Sequence, residues 1–201
     1  MLTIAIQAGG ESRRMGHDKA LMPFLGRPLV QRVIDRLSPI ADELILTTNN
    51  PEAYRFLGLP LFPDLIPGRG ALGGLYTALR SANQPLVAVV ACDMPFVCAD
   101  LLDAMRNSLL SANKDIAIPR PDGGLEPFHA VYRRDTCLPH IQAALDADKW
   151  RVDAWFAKVD MCFFDQLELL SYDPDLLCFY NVNTPEELAA AEQLALQKEG
   201  G

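Results

Sequence analysis

The chain has no long hydrophobic run, no closely spaced cysteines and no surplus of positive charge. The longest apolar stretch, Leu86 to Cys92, falls far short of the ~20 residues that span a bilayer. The five cysteines, Cys92, Cys98, Cys137, Cys162 and Cys178, are odd in number, widely spaced and free of any CxxC pair. That usage points to reduced thiols in a cytoplasmic setting and excludes a disulfide framework or a zinc module. Lys and Arg number 18 against 26 Asp and Glu, a formal charge of −8, which argues against coating nucleic acid or an anionic membrane. The opening MLTIAIQAGG carries no basic n-region and breaks at two glycines, so no secretory leader is expected. Internal repeats and low-complexity tracts are missing too. With 50% hydrophobic and 22% charged residues, the chain can bury a real core, which leaves disorder and fibrous architectures behind.

What is present alternates. Short apolar runs (Leu2–Ala8, Glu43–Thr48, Leu86–Ala91, Asp115–Pro119, Phe128–Tyr132, Met161–Phe164, Cys178–Val182) predict strands. Between them Pro28–Leu37, Leu72–Ala82, Ala99–Leu110 and Thr136–Ala147 have helical periodicity, with Leu29, Val30, Val33, Ile34 and Leu37 on one face of the first. The unbroken run Leu86–Ala91 predicts a parallel strand covered on both faces. Asp100 is expected to cap the helix after it, and Thr184, Pro185 and Glu187 form the start signal of a last helix. One domain results, a doubly wound, three-layer α/β/α fold with a largely parallel, twisted sheet and its ligand beyond the C-terminal strand ends.

Chemistry-bearing residues cluster at such ends. After the first strand, residues 9–19 read GGESRRMGHDK, placing three glycines and the cations Arg13, Arg14 and Lys19 in one loop of an acidic protein. Backbone amides in such a loop form an anion nest that the cations close. The loop fits neither GxGxxG nor GxxxxGK[ST]. A second glycine-rich turn, Pro67 to Leu75, can bring main chain close to a base or phosphate. Asp93 stands just past the apolar Leu86–Ala91 strand, where a carboxylate can hold Mg²⁺ beside phosphate oxygens. Asn181 and Asn183, two apart on an expected strand, would face one side and offer amide oxygens to metal or phosphate. Arg120, Arg133, Arg134, Lys149 and Arg151 read as scattered surface cations, His17, His129 and His140 form no metal set, and Trp150 and Trp155 read as structural.

The segment AGGESRRMGHDKALMPFLGRPL resembles the signature of the GT-A-type nucleotidylyltransferases, and within them most closely the molybdenum cofactor guanylyltransferase family. The likeness spans the chain and is dense at 5–33, 64–75, 90–96 and 180–188. It implies a Rossmann-like nucleotidyltransferase fold over 1–201, with a nucleotide-binding half to 100, an acceptor half over 101–190, and a helix end and tail over 191–201. By this resemblance Gln7, Ala8, Gly9, Gly10, Arg14 and Lys19 would hold the nucleotide. So would Asp64 and the turn with Gly68, Gly70, Leu72 and Gly74, and Thr47 or Asn49 would read the base. Gln7 replaces the family's usual leucine, and Ala71 and Gly73 replace proline and alanine. Lys19, Arg14 and Asp93 would be catalytic, Asp93 and Asn183 would bind Mg²⁺, and Asn181 and Asn183 would touch the acceptor. The implied reaction joins GTP and molybdenum-molybdopterin, giving the guanine dinucleotide cofactor and pyrophosphate. Implied partners are molybdoenzyme clients and cofactor-insertion proteins. Other readings are a cytidylyltransferase, a sugar-phosphate nucleotidylyltransferase, or a non-catalytic nucleotide binder.

Overall fold

A computed structural model describes residues 1–8 and 18–199. In chain order the strands are β1 (Leu2–Gln7), β2 (Pro23–Phe24), β3 (Arg27–Pro28), β4 (Glu43–Thr47), β5 (Leu61–Phe62), β6 (Leu86–Ala91), β7 (Ile116–Arg120), β8 (His129–Arg133) and β9 (Met161–Asp165). The helices are α1 (Leu29–Leu37), α2 (Gly70–Ser81), α3 (Ala99–Ser111), α4 (Arg134–Asp146), α5 (Gln166–Tyr172) and α6 (Pro185–Glu199). Seven strands form one sheet in the order β5-β4-β1-β6-β8-β7-β9, and β2 and β3 make a separate small ribbon.

Strand alternation divides the core into two layers. Ile4 and Ile6 of β1 and Ala88 and Val90 of β6 pack with α1 and α3, through Val30, Val33, Leu102 and Met105. Ala5, Val87 and Val89 face the opposite way, onto Leu72, Leu75 and Leu79 of α2 and Ile141 and Leu145 of α4. This is the three-layer arrangement that the alternating pattern predicts. A third, smaller cluster seats α6 against the ribbon, with Phe24, Leu29, Phe96, Val182, Leu188 and Ala191.

The apolar β6 is buried on both faces, as expected, but parallel on one side only. It runs parallel to β1 and antiparallel to β8. The cause lies in the connection. Residues 121–128 join β7 to β8 without an α-helix, and so short a link can only reverse the chain.

Three further expectations are corrected. Cys178–Val182 is not a strand: Leu177–Phe179 is a short 3-10 turn entered through Leu176 at φ 51, and irregular chain follows. It meets the end of β6 through Val182, and β6 has no free edge because it already lies between β1 and β8. Instead Asp173 captures the Cys178 N–H at 2.6 Å and curls the chain. Asp100 sits in the first turn of α3, and the cap position is Cys98. Trp155 is buried, but Trp150 is exposed and stands beside Arg69, whose guanidinium lies 5.5 Å from its ring centre. The last helix begins as read. Thr184 accepts the Glu187 N–H at 3.1 Å and donates its own N–H to the Glu187 carboxylate at 3.0 Å, a closed capping box.

His129 is fully buried on β8, its ring 5.2 Å from that of Phe179, and neither ring nitrogen has a hydrogen-bond partner among the described residues. Burial lowers its pKa from 6.5 to about 4, against the pull of the Asp173 charge. The folded state therefore keeps the ring neutral where the unfolded chain would protonate it. This stability is complete above pH 6.5 and is lost as pH falls toward 4. Going from pH 7 to pH 5 should remove about 2 kcal/mol. Urea melts should show this loss in the wild type and not in His129→Leu.

Candidate active site

The C-terminal ends of β1, β4 and β6 open on one side of the sheet. Backbone hydrogen bonds fix their spacing: Ala8 N–H to Thr47 O at 2.9 Å and Cys92 N–H to Gln7 O at 3.0 Å. Lys19 and Asp93 gather at this end with Asn183, which arrives from the chain's far end. The Lys19 ammonium donates to Asn183 Oδ1 at 2.8 Å and lies 3.9 Å from Asp93 Oδ2. Both charged side chains are about one-fifth exposed (19% and 21%), so the pair borders solvent without being immersed in it. Burial raises the Asp93 carboxyl above the usual carboxylate range, and the Lys19 charge pulls it partly back.

Several contacts that the sequence did not reveal hold this triad. Asp18 caps the short turn Lys19–Leu21, accepting the Ala20 N–H at 3.2 Å, and also receives the hydroxyl of buried Tyr54 at 2.6 Å. Lys19 thus starts from a backbone clamped on both sides. The neighbouring Cys92 thiol is pushed up by burial and by the Asp93 and Asp18 charges, so it stays protonated. The main-chain oxygen of Asp93 accepts the Val182 N–H at 2.9 Å, which ties the incoming strand-end loop to the Asn183 segment. Glu187, the capping-box acid, also accepts the Asn183 N–H at 2.5 Å. Asn183 therefore owes its placement to the start of α6, and the same-side alternation expected of Asn181 and Asn183 disappears with the strand. The Asn181 amide instead donates to Phe179 O at 3.4 Å.

On the opposite rim, Asn49 and Asp64 pair reciprocally. The Asn49 amide donates to the Asp64 carboxylate at 2.8 Å, and the Asp64 N–H donates to Asn49 Oδ1 at 2.9 Å. Thr47 is buried at the end of β4. The glycine turn enters α2 through left-handed backbone at Gly68 (φ +77) and Gly70 (φ +53), a region costly for other residues. Thr77 pins the turn to its helix, accepting the Leu65 N–H at 3.0 Å and donating to Gly73 O at 2.9 Å. The Leu72 side chain is fully buried in the core, so a ligand at the turn would meet its main chain. Gly9, Gly10 and Arg14 lie outside the described residues. The acceptor-side cations are mostly paired locally, Arg120 with Asp165, Arg134 with Asp135 and Arg151 with Asp153, and do not form one patch.

A model of the MobA-like NTP transferase domain matches residues 4–160. A protein of Pelotomaculum thermopropionicum described as a probable molybdenum cofactor guanylyltransferase is 37% identical over 193 residues, covering 96% of this chain and 93% of the relative. A molybdenum cofactor guanylyltransferase of Desulfosudis oleivorans is 34% identical over 192 residues, covering 95% and 94%. The crystal structure of molybdopterin-guanine dinucleotide biosynthesis protein A from Archaeoglobus fulgidus has a TM-score of 0.83 at 25% identity, covering 97% and 99%. Fold and relatives together define a nucleotidyltransferase enzyme. The chain belongs to the MobA-like NTP transferase domain family, alongside the molybdenum cofactor guanylyltransferases.

The glycine turn has little tolerance. A Cβ on Gly73 would stand 2.8 Å from Arg69 Cβ and 3.2 Å from Ile66 O, both fixed parts of the turn. Gly73→Ala should destabilise the protein by about 1–3 kcal/mol through overpacking, read as a lowered urea midpoint.

Proposed function

We propose that the protein transfers GMP from GTP to the terminal phosphate of the molybdenum-bound pterin cofactor, forming the guanine dinucleotide cofactor and pyrophosphate. The observation that carries this reading is the convergence of Lys19, Asp93 and Asn183 at the strand ends of a chain whose sequence relatives are described as molybdenum cofactor guanylyltransferases. Residues up to about 100 would hold GTP, with residues 101–190 on the acceptor side. The reaction would take place in the cytoplasm; no helix among the described residues is long and apolar enough to cross a membrane. Molybdoenzyme clients or cofactor-insertion proteins would receive the product.

In the proposed step an oxygen of the pterin phosphate attacks the α-phosphorus of GTP in line. A new P–O bond forms as the bond to the β-phosphate breaks, and its electrons leave with pyrophosphate. Such transfers need positioning and charge neutralisation more than covalent help. The Lys19 ammonium, held from below by the Asp18 turn, follows the charge that develops on the departing phosphates. Gly9, Gly10 and Arg14 would complete the cradle. Asn49, Asp64 and the main chain of the glycine turn would line the base and ribose.

The residues fit a Mg²⁺ ion. Asp93 and Asn183 present hard oxygen donors that already face one positive charge, the Lys19 ammonium, and phosphate oxygens can supply the remaining ligands. Bound there, the ion would offset phosphate charge. Asn181 and Asn183 stand nearest the acceptor in this reading.

Pyrophosphate release measured with GTP, CTP or ATP, with and without molybdopterin, tests the assignment. Release that needs both GTP and molybdopterin supports it. Preference for CTP, or release with a sugar phosphate in place of the pterin, favours a relative of different specificity, and no release with any pair indicates a non-catalytic binder. Asp93→Asn should lower turnover by at least about a hundredfold. It should leave the thermal midpoint nearly unchanged, because Asp93 anchors Val182 through its main chain. Activity within a few-fold of wild type at ordinary Mg²⁺ would remove Asp93 from the reaction centre.

A further inference from the structure

We propose that Tyr54 is a positioning residue for the reaction: its buried hydroxyl holds the Asp18 carboxylate away from the Lys19 ammonium and so leaves that charge free for the nucleotide's phosphates. The proposal rests on the guanylyl-transfer reading of the same site, from which it takes the triphosphate.

Two carboxylates, Asp18 and Asp93, stand near the Lys19 ammonium, and all three groups act electrostatically on the Cys92 thiol between them. Asp18 is the chain neighbour of Lys19 and has the charge to capture it. The structure pairs them otherwise. Lys19 donates to Asn183 Oδ1 at 2.8 Å and lies 3.9 Å from Asp93 Oδ2. Both oxygens of Asp18 are occupied elsewhere, Oδ1 by the Ala20 N–H at 3.2 Å and Oδ2 by the Tyr54 hydroxyl at 2.6 Å.

Tyr54 does not need its hydroxyl for packing. Its ring is fully buried in the core layer that holds Ile6, Ala8 and Ala20, a place that phenylalanine would fill without a polar atom to satisfy. Among the described residues the hydroxyl has Asp18 as its one hydrogen-bond partner, at the length of a charge-assisted bond. Burial and that bond raise the phenol's pKa, so it remains a donor. Tyr54 stands on the 3-10 turn Pro51–Leu57, so the restraint on Asp18 comes from a segment separate from the one that carries Lys19. Without the hydroxyl, Asp18 Oδ2 would be a part-buried anionic oxygen short of a donor, and the adjacent ammonium is the cation that can satisfy it.

The test is a double-mutant cycle on the full chain: wild type, Tyr54→Phe, Asp18→Asn and the two combined. Asparagine caps a turn as well as aspartate does, so Asp18→Asn keeps the Lys19 turn and removes only the charge. Calorimetric titrations with GTP and with GMP supply the readout; GMP lacks the phosphates that Lys19 would meet. Tyr54→Phe should weaken GTP by about tenfold, the size of one contact to a charged group, and change GMP less than twofold. Asp18→Asn alone should change GTP affinity less than threefold, yet restore most of the loss when added to Tyr54→Phe. A residue that served packing alone would lower the thermal midpoint and gain nothing from the second substitution. The proposal is overturned if Tyr54→Phe binds GTP within twofold of wild type, if GTP and GMP weaken together, or if Asp18→Asn gains no more beside Tyr54→Phe than by itself. A wild type that binds GTP but releases no pyrophosphate with molybdopterin overturns the guanylyl-transfer reading instead and leaves the result of the cycle standing. If Tyr54→Phe does not fold, Tyr54→Met, whose flexible side chain fills irregular core space, gives the same cycle.

Discussion

Three segments far apart in the chain meet on the ammonium of Lys19, and the upper surface of the molecule is organised by that meeting. Residue 19 follows the loop after β1, residue 93 ends β6, and residue 183 introduces the last helix. A single positive charge in a protein of net charge −8 draws the amide oxygen of Asn183 and the carboxylate of Asp93 to itself. The backbone bond from Val182 to Asp93 joins two of these segments without the help of charge. The third hydrophobic cluster, where Phe96 and Val182 pack with Leu188, is the apolar footing of the same junction.

Much of this was legible in the sequence because it depends on local rules. Periodicity located α1 and its buried face, the apolar run located β6, and Thr184 to Glu187 announced the capping box. The residues that close the site were legible as candidates because cations, glycines and an acid stood after apolar runs. Their partners were not. Nothing near Asp18 in the sequence points to Tyr54, 36 positions on, and nothing near Thr77 reveals that it clasps the glycine turn. Such pairings are decided by which elements pack together, which a linear pattern does not encode. Cys178–Val182 failed for the same reason. Its residues suit a strand, but a strand needs a free edge, and the sheet had none beside β6. Leu72, inside one of the glycine-rich turns, gives its side chain to the core.

Buried polar groups fall into two kinds. Thr77, Tyr54 and Asp18 are paired and stiffen the walls of the cleft. Gln7 Nε2, both ring nitrogens of His129 and Trp155 Nε1 have no hydrogen-bond partner among the described residues. His129 stays neutral under Phe179, the segment that leads toward Asn183, so its ring acts as packing in ordinary conditions.

The double duty of Glu187 carries a consequence for how this enzyme would respond to change. One carboxylate closes the first turn of α6 and also grips the amide of Asn183. The terminal helix is therefore a lever whose short arm reaches the proposed reaction centre. A screen that scores residues by lost turnover would rank Glu187 beside the groups that face the phosphates, although it meets none of them. A fusion at the C-terminus, or a protein that grips α6, would act on the reaction from the outer end of the same lever.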